Sequence, residues 1–342
     1  MSIPPHIPSM IELGKALLGC GTDDAAQVTG GGNNKILRVR CGGEAVALKF
    51  HDAGGGRHDR FEVEWQAMSL MSEAGLPVPR PLARDAASRC IAYQWIDGRR
   101  PDACGPAEAE ALAAFLLALQ DLRDLSAAAR FGPASAATLS AAAVARQFHG
   151  RLRRLHEVSA GDPALAAFLE QELTPAAAGM FDGLSAATLP PACQILSPSD
   201  FGIHNCLRRH DGGLAFLDFE YFGWDDPVKA VIDALLHPGG GMGAEARARF
   251  LAMTVPAFAR HDPGFEERLH RLAPLLGMIW CLIILNEFLP EFWERRTMAG
   301  QAGDLAATQA GQLRKAREKL AQVTAMCADP ACLAAALSLG NS

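Results

Sequence analysis

The chain has 342 residues, 49% of them hydrophobic, with a formal net charge of −6 and a pI near 5.9. That length exceeds a single hydrophobic core and predicts two lobes. The acidic balance excludes a nucleic-acid binder, which presents a basic face; the short cluster Arg151-Leu-Arg-Arg154 reads as a solvated helix face.

Residues 1–27 read as an N-terminal helical extension. Met1-Ser-Ile-Pro-Pro lacks the charged start of a signal peptide. Nine cysteines, at 20, 41, 90, 104, 193, 206, 281, 327 and 332, form no C-x-x-C pair and predict reduced thiols in a cytoplasmic protein. Val28-Thr-Gly-Gly-Gly-Asn-Asn-Lys35 then precedes two short apolar runs, Ile36–Arg40 and Glu44–Phe50, separated by Gly42-Gly43. This predicts a β-hairpin. Gly30, Gly31 and Gly32 let backbone N–H groups approach a phosphate with no Cβ in the way. Val46-Ala-Leu-Lys49 is close to the strand pattern whose lysine pairs nucleotide phosphates.

Arg60–Met71 has helical spacing, with Phe61, Trp65, Met68 and Met71/Ser72 down one side, and Gly75-Leu-Pro-Val-Pro stops it. On that helix Glu64 is expected to hold the Lys49 ammonium, with Glu62 the competing partner. Alanine-rich runs at 107–119 and 136–145 read as helices.

The densest signal follows. Cys193-Gln-Ile-Leu196 and Leu214-Ala-Phe-Leu217 read as strands, and between them lies Ser199-Asp200-Phe-Gly-Ile-His-Asn205. Asp200, Asn205 five positions later, and Asp218 at the end of the next strand are the minimal set for phosphoryl transfer. Asp200 would orient a substrate hydroxyl and accept its proton. Asn205 and Asp218, returned beside it by the hairpin, would hold Mg²⁺ on nucleotide phosphates, with Glu220 a further ligand or a group behind the ligands. Ser199 is a rival for a direct role, against the plainer reading of a turn-stabilising serine beside Pro198.

Leu272–Leu285 is apolar but short for a bilayer span and contains Pro274, which predicts a buried core helix and no membrane partner. For the acceptor, Glu287, Glu291 and Glu294 fall on one helical face beside Phe288, Phe292 and Trp293. That surface suits an amine through carboxylates and cation–π contacts, or else is a core helix with a solvated acidic edge.

In chain order, several segments resemble the aminoglycoside phosphotransferase and choline kinase group, the small-molecule branch of the protein-kinase-like fold. They are Gly30–Asn34 with Lys49, Glu64 with Gly75-Leu-Pro-Val-Pro79, Tyr93-Gln-Trp-Ile-Asp-Gly98, Ser199–Asn205, and Leu217-Asp-Phe-Glu-Tyr221 followed by Asp226-Pro227. The resemblance spans roughly residues 28–238. It implies an α+β bilobal fold, with a small β-rich nucleotide lobe over 28–98 and a larger, mostly helical lobe over 99–342. ATP and Mg²⁺ are the implied cofactors, bound in a cleft between the lobes. Gly30, Gly31, Gly32, Asn33, Asn34, Lys49, Gln94 and Ile96 are the implied nucleotide contacts, and a small-molecule hydroxyl is the implied acceptor. Two departures stand out. Pro198 occupies the place of the family's histidine before the catalytic Asp, and the carboxylate after Asp226-Pro227 comes late, at Asp233. A nucleotide-binding pseudokinase scaffold is opposed by the presence of Lys49, Asp200, Asn205 and Asp218 together. A protein kinase is opposed by the short run from Asp218 to Asp226-Pro227, with no Ala-Pro-Glu segment.

Overall fold

The computed structural model describes residues 7–19, 22–28, 35–52, 59–298 and 303–328. The elements, numbered along the chain, begin α1 (Ile7–Leu18), β1 (Thr22–Val28), β2 (Lys35–Cys41), β3 (Glu44–Phe50), α2 (Arg60–Glu73), β4 (Pro81–Asp85), β5 (Cys90–Gln94) and β6 (Gly98–Arg99). There follow α3 (Pro106–Ala118), α4 (Ala141–Ser159), α5 (Pro163–Ala167), α6 (Thr174–Ala176), β7 (Ile195–Ser197), β8 (Cys206–Arg209), β9 (Leu214–Phe216) and β10 (Gly223–Asp225). The rest is helical: α7 (Pro227–Leu236), α8 (Ala244–His261), α9 (Phe265–Ile284), α10 (Pro290–Met298) and α11 (Leu305–Ala328). The chain divides into two units: Met1–Arg100 with Cys206–Tyr221 and Arg295–Ala302, and Pro101–Asn205 with Phe222–Glu294 and Gly303–Ser342. The hairpin from Cys206 to Tyr221 thus groups with the first unit, although its sequence position follows the start of the second.

In the first unit a five-stranded antiparallel sheet runs in the order β1-β2-β3-β5-β4. β2 and β3 turn through Gly42 (φ 58°) and Gly43 (φ 88°). Both central residues lie in the left-handed region, the two-residue turn whose twist matches the flanking strands. Alternate residues of β2 and β3 (Leu37, Val39, Val46, Leu48) point to one face and form a core with Met10 of α1, Phe50, Cys90 and Ala92. Residues 22–28 are therefore a strand of this sheet, not part of a helical extension. Pairing completes β1, since its sequence Thr-Asp-Asp-Ala-Ala-Gln-Val carries little strand propensity.

α2 begins at Asp59, whose carboxylate accepts from Phe61 N and Glu62 N, and ends where Gly75 takes φ 76°. A separate three-stranded sheet, β6-β8-β9, completes the unit.

The second unit is helical except for the pair β10-β7. α3 covers most of the first alanine-rich run. In the second run the helix starts only at Ala141, because Ser140 caps it by accepting from Ala143 N. The preceding carbonyls of Ala136 and Ala137 bond to the Gln147 side chain instead. α9 packs against α4, α7 and α11. Phe265–Phe288 is long and apolar enough to cross a membrane, and 72% of its apolar window is buried inside the protein. Burial, not length, marks it as a core helix.

Among the described cysteines, Cys90, Cys104, Cys193, Cys206, Cys281 and Cys327 are free, whereas Cys41 is disulfide-bonded. This corrects the expectation of uniformly reduced thiols. Cys41 ends β2 opposite Thr22 of β1, a neighbourhood made by strand register that linear cysteine spacing does not reveal.

Candidate functional site

The first unit assembles a buried charge cluster. Lys49 sits near the end of β3, paired in register with Ile36 and Ile91. Its Nζ donates to Glu64 Oε2 at 2.7 Å and Oε1 at 2.9 Å, and to Asp218 Oδ1 at 2.7 Å. Glu64 lies on the buried face of α2 with Phe61, Met68 and Met71. Glu62 points elsewhere, to Arg84 and Gln66. Helical phase thus decides between the two acids in favour of Glu64. Burial works against the Lys49 charge, but Asp218, Glu64 and Glu220 outweigh it and hold the ammonium protonated well above its ordinary range. Burial, together with the crowding of Asp218 and Glu220, pushes Glu64 up to about 7 despite its bond to Lys49.

Asp218 adopts φ 68° and keeps its side chain 38% exposed. Glu220, two residues on, is turned inward with 1% exposure, its oxygens 3.7 Å from His51 Nδ1 and 3.6 Å from an Arg60 guanidinium nitrogen. That placement suits a group behind the ligands better than a ligand. His51 also approaches Glu64 at 3.3 Å. Burial and then the charges of Lys49, Arg89 and Arg60 push its pKa down to about 2, so the imidazole is neutral.

The same unit contains a cavity of about 470 Å³ lined by Gly75–Val78, Gln94–Asp97 and Arg209. The amides of Gln94 and Trp95 are already bonded, to the carbonyls of Arg80 and Ala45. Ile96 is therefore the next backbone donor along the segment. Gly30, Gly31, Gly32, Asn33 and Asn34 lie outside the described residues.

The second unit supplies the other cluster. β7 ends at Ser197, and the chain turns sharply: Ser199 takes φ 66°, and Asp200 N bonds to Pro198 O at 2.9 Å. Asn205 Nδ2 donates to the backbone carbonyl of Asp200 at 3.0 Å. This bond spans the five-residue spacing and fixes the orientation of the Asn205 amide.

Sequence reasoning assigned no role to the two histidines beside Asp200. His204 Nε2 lies 3.1 Å and His237 Nε2 3.7 Å from Asp200 Oδ1. Gly239 N donates to His237 Nδ1, so Nε2 carries the proton and faces the carboxylate. The two imidazoles stack, 3.7 Å apart and 4° from parallel. Both imidazoles turn Nε2 toward the same carboxylate oxygen. Burial alone would raise the Asp200 pKa, but the His204 bond, the two histidines and Asn205 hold it below its ordinary value. A histidine beside Asn205 was a visible signal in the motif. His237, at the end of α7, was not.

The acidic, aromatic surface expected for the acceptor does not form as one helical face. Leu285–Phe288 is a 3-10 turn and Pro290 starts a new helix. Phe288 is buried, and Glu291 pairs with Arg154. The proline breaks the phase that would have aligned the three acids.

Several solved structures are similar. The choline kinase from Cryptosporidium parvum Iowa II aligns at 11% identity and TM-score 0.63, over 98% of this chain and 99% of that one. The gentamicin–APH(2")-IIa complex aligns at 14% and 0.58, over 94% and 97%. Spectinomycin phosphotransferase APH(9)-Ia, in complex with ADP and spectinomycin, aligns at 12% and 0.54, over 91% and 99%. These identities speak to fold, an α+β protein-kinase-like fold with a small sheet-bearing unit and a mostly helical one. No curated protein sequence matches the chain. A family model described as the phosphotransferase enzyme family matches residues 24–267, more than half of the sequence. The chain belongs to the phosphotransferase enzyme family.

Proposed function

We propose that the protein transfers the γ-phosphoryl group of ATP, in a Mg²⁺-dependent reaction, to a hydroxyl of a small molecule such as an amino sugar, a sugar or an amino alcohol. The observation that carries this reading is the buried ammonium of Lys49, clamped by Glu64 and bonded to Asp218. A lysine held in this way presents a fixed positive charge to phosphate oxygens. Asn205 and Asp218 would hold Mg²⁺, which when bound neutralises charge on the phosphates. The cavity at Gln94–Asp97 is the proposed base site, with Ile96 N–H as donor.

Asp200 orients the acceptor hydroxyl. His204 bonds Oδ1 with His237 beside it, and the Asp200 carboxylate would meet the hydroxyl and take its proton as the new bond forms. Because its pKa is depressed, the carboxylate is ionised across the neutral range. A peptide acceptor is disfavoured: β10 and the start of α7 at Pro227 follow Asp218 almost at once. The bound ADP and spectinomycin of one neighbour, and the choline kinase identity of another, support a nucleotide and a small hydroxyl compound as substrates. The test is ATP consumption screened against amino sugars, simple sugars, choline-like alcohols and a generic protein. ADP formation dependent on one small-molecule class, and not on the protein, is the expected result.

A further inference from the structure

Every residue of α7 is buried, yet the helix carries a lysine. The Lys229 side chain is 8% exposed, and its Nζ lies 2.7 Å from Asp233 Oδ2, 3.4 Å from Asp225 Oδ2 and 3.5 Å from Ser199 Oγ. Buried ion groups of this kind contribute little stability over an apolar replacement. Where the partners lead is more informative.

One arm reaches the residue before Asp200. Ser199 holds a left-handed backbone that a side chain with a Cβ rarely adopts, and such a conformation persists only where its surroundings fix it. Its N–H donates to Ser197 Oγ at 3.1 Å and its hydroxyl donates to Ser135 O at 2.7 Å. The hydroxyl hydrogen is thereby used, and Oγ is left to accept from Lys229. Pro198 brings no hydrogen-bonding side chain to this turn.

The second arm reaches the histidines. Asp233 Oδ1 accepts from Trp280 Nε1 at 2.9 Å, and Trp280 stands edge-on to His237 with centroids 4.8 Å apart. His237 in turn stacks on His204, and both face Asp200 Oδ1. Asp225 ties the network to β10 and accepts from Thr138 N and Asp226 N through its other oxygen.

We propose that Lys229 is a positioning residue for phosphoryl transfer, bracing Asp200 from both sides through Ser199 and through Asp233, Trp280 and His237. The proposal rests on the function proposed above, because it assigns Asp200 as the base.

The experiment compares the parent with Lys229→Met, Lys229→Arg and Ser199→Ala. It measures amide hydrogen exchange over residues 197–205, Mg·ATP binding by calorimetry, and steady-state kinetics with the acceptor found by screening. Lys229→Met should lower kcat about 10–100-fold, the scale of a misplaced catalytic group, with ATP affinity unchanged. Exchange should quicken in the loop and not in α9. Lys229→Arg, which keeps the charge, should recover most of both effects. Ser199→Ala keeps the ion pairs, and so the fold, even if Lys229→Met unfolds; it should loosen the same loop and lower kcat by roughly threefold to tenfold.

Unchanged loop exchange in both Lys229→Met and Ser199→Ala overturns the proposal. So does exchange quickened throughout α9, which would make Lys229 a general support of the core. If the parent phosphorylates no acceptor, the proposed function fails while the exchange data still decide whether Lys229 braces the loop.

Discussion

Lys49 lies one residue from the end of β3, where a lysine is ordinarily solvated and its loss would hardly register in the fold; its burial against Glu64 changes that expectation. Lys49→Met removes the proposed phosphate contact and also strands Glu64 in the interior, which costs about 3–5 kcal/mol when one member of a buried pair is deleted. Because Glu64 already sits near 7, it can take up a proton and soften the penalty. Chemical denaturation should therefore show Lys49→Met destabilised, and Lys49→Met/Glu64→Gln more stable than Lys49→Met alone, with turnover lost in both; strictly additive losses would contradict the pair. At His237, burial first and then His204 and Lys319 push the pKa down to about 4 from 6.5, with Asp200 opposing. Between those values the unfolded chain binds a proton that the folded chain refuses. Stability is thus full above pH 6.5 and declines as pH falls toward 4. At roughly 1.4 kcal/mol per unit, His237 contributes about 3 kcal/mol of that decline. His237→Gln, which can still accept from Gly239 N, should show a flatter fall in unfolding free energy from pH 6.5 to 4.5. Parallel curves for variant and parent would rule this out.

At the scale of elements, β10 pairs with β7, the strand just before the Ser199–Asn205 loop, and is tied to residues 132–134. A Cβ on Gly223 would lie 2.6 Å from Ala134 N and from Gly132 O. Backbone cannot yield as a side chain does, so Gly223→Ala must pull apart the bonds Trp224 N→Gly132 O (3.0 Å) and Ala134 N→Trp224 O (2.9 Å). Two lost hydrogen bonds plus overpacking predict a loss of about 2–4 kcal/mol. Gly150, inside α4, meets nothing within 4 Å. Gly150→Ala should accordingly stabilise by about 0.5–1 kcal/mol, the opposite sign, through helix propensity and a less flexible unfolded chain. Thermal denaturation of the two variants checks both signs. The elements that sequence pattern disclosed are those with local causes: the Gly42-Gly43 turn, α2 between Asp59 and Gly75, and the short strands β7 and β9. The start of α4 and the strand β1 were not legible, because a serine cap overrode alanine propensity and a partner strand overrode a weak one.

For the whole molecule, sequence pattern brought out the order of the proposed site residues: Lys49, Glu64, Asp200, Asn205, Asp218. It did not disclose what surrounds each group. Glu64 over Glu62 depended on helical phase, and Glu220 facing His51 depended on the chain path after Asp218. The histidine pair and the Lys229 network join residues far apart in sequence, which no linear motif records. The acceptor was the least legible feature, since Pro290 divides the surface offered for it. The central claim is that Asp200 serves as the base for transfer from ATP to a small-molecule hydroxyl. Asp200→Asn keeps the size of the side chain and removes the anionic acceptor. The decisive measurement is turnover of the parent and of Asp200→Asn on the acceptor found by screening, with ATP affinity measured in parallel and Ser199→Ala as the neighbouring comparison. The account predicts unchanged ATP binding and a loss of roughly 10²–10⁴-fold in turnover for Asp200→Asn, well beyond that of Ser199→Ala. Full turnover in Asp200→Asn would contradict it.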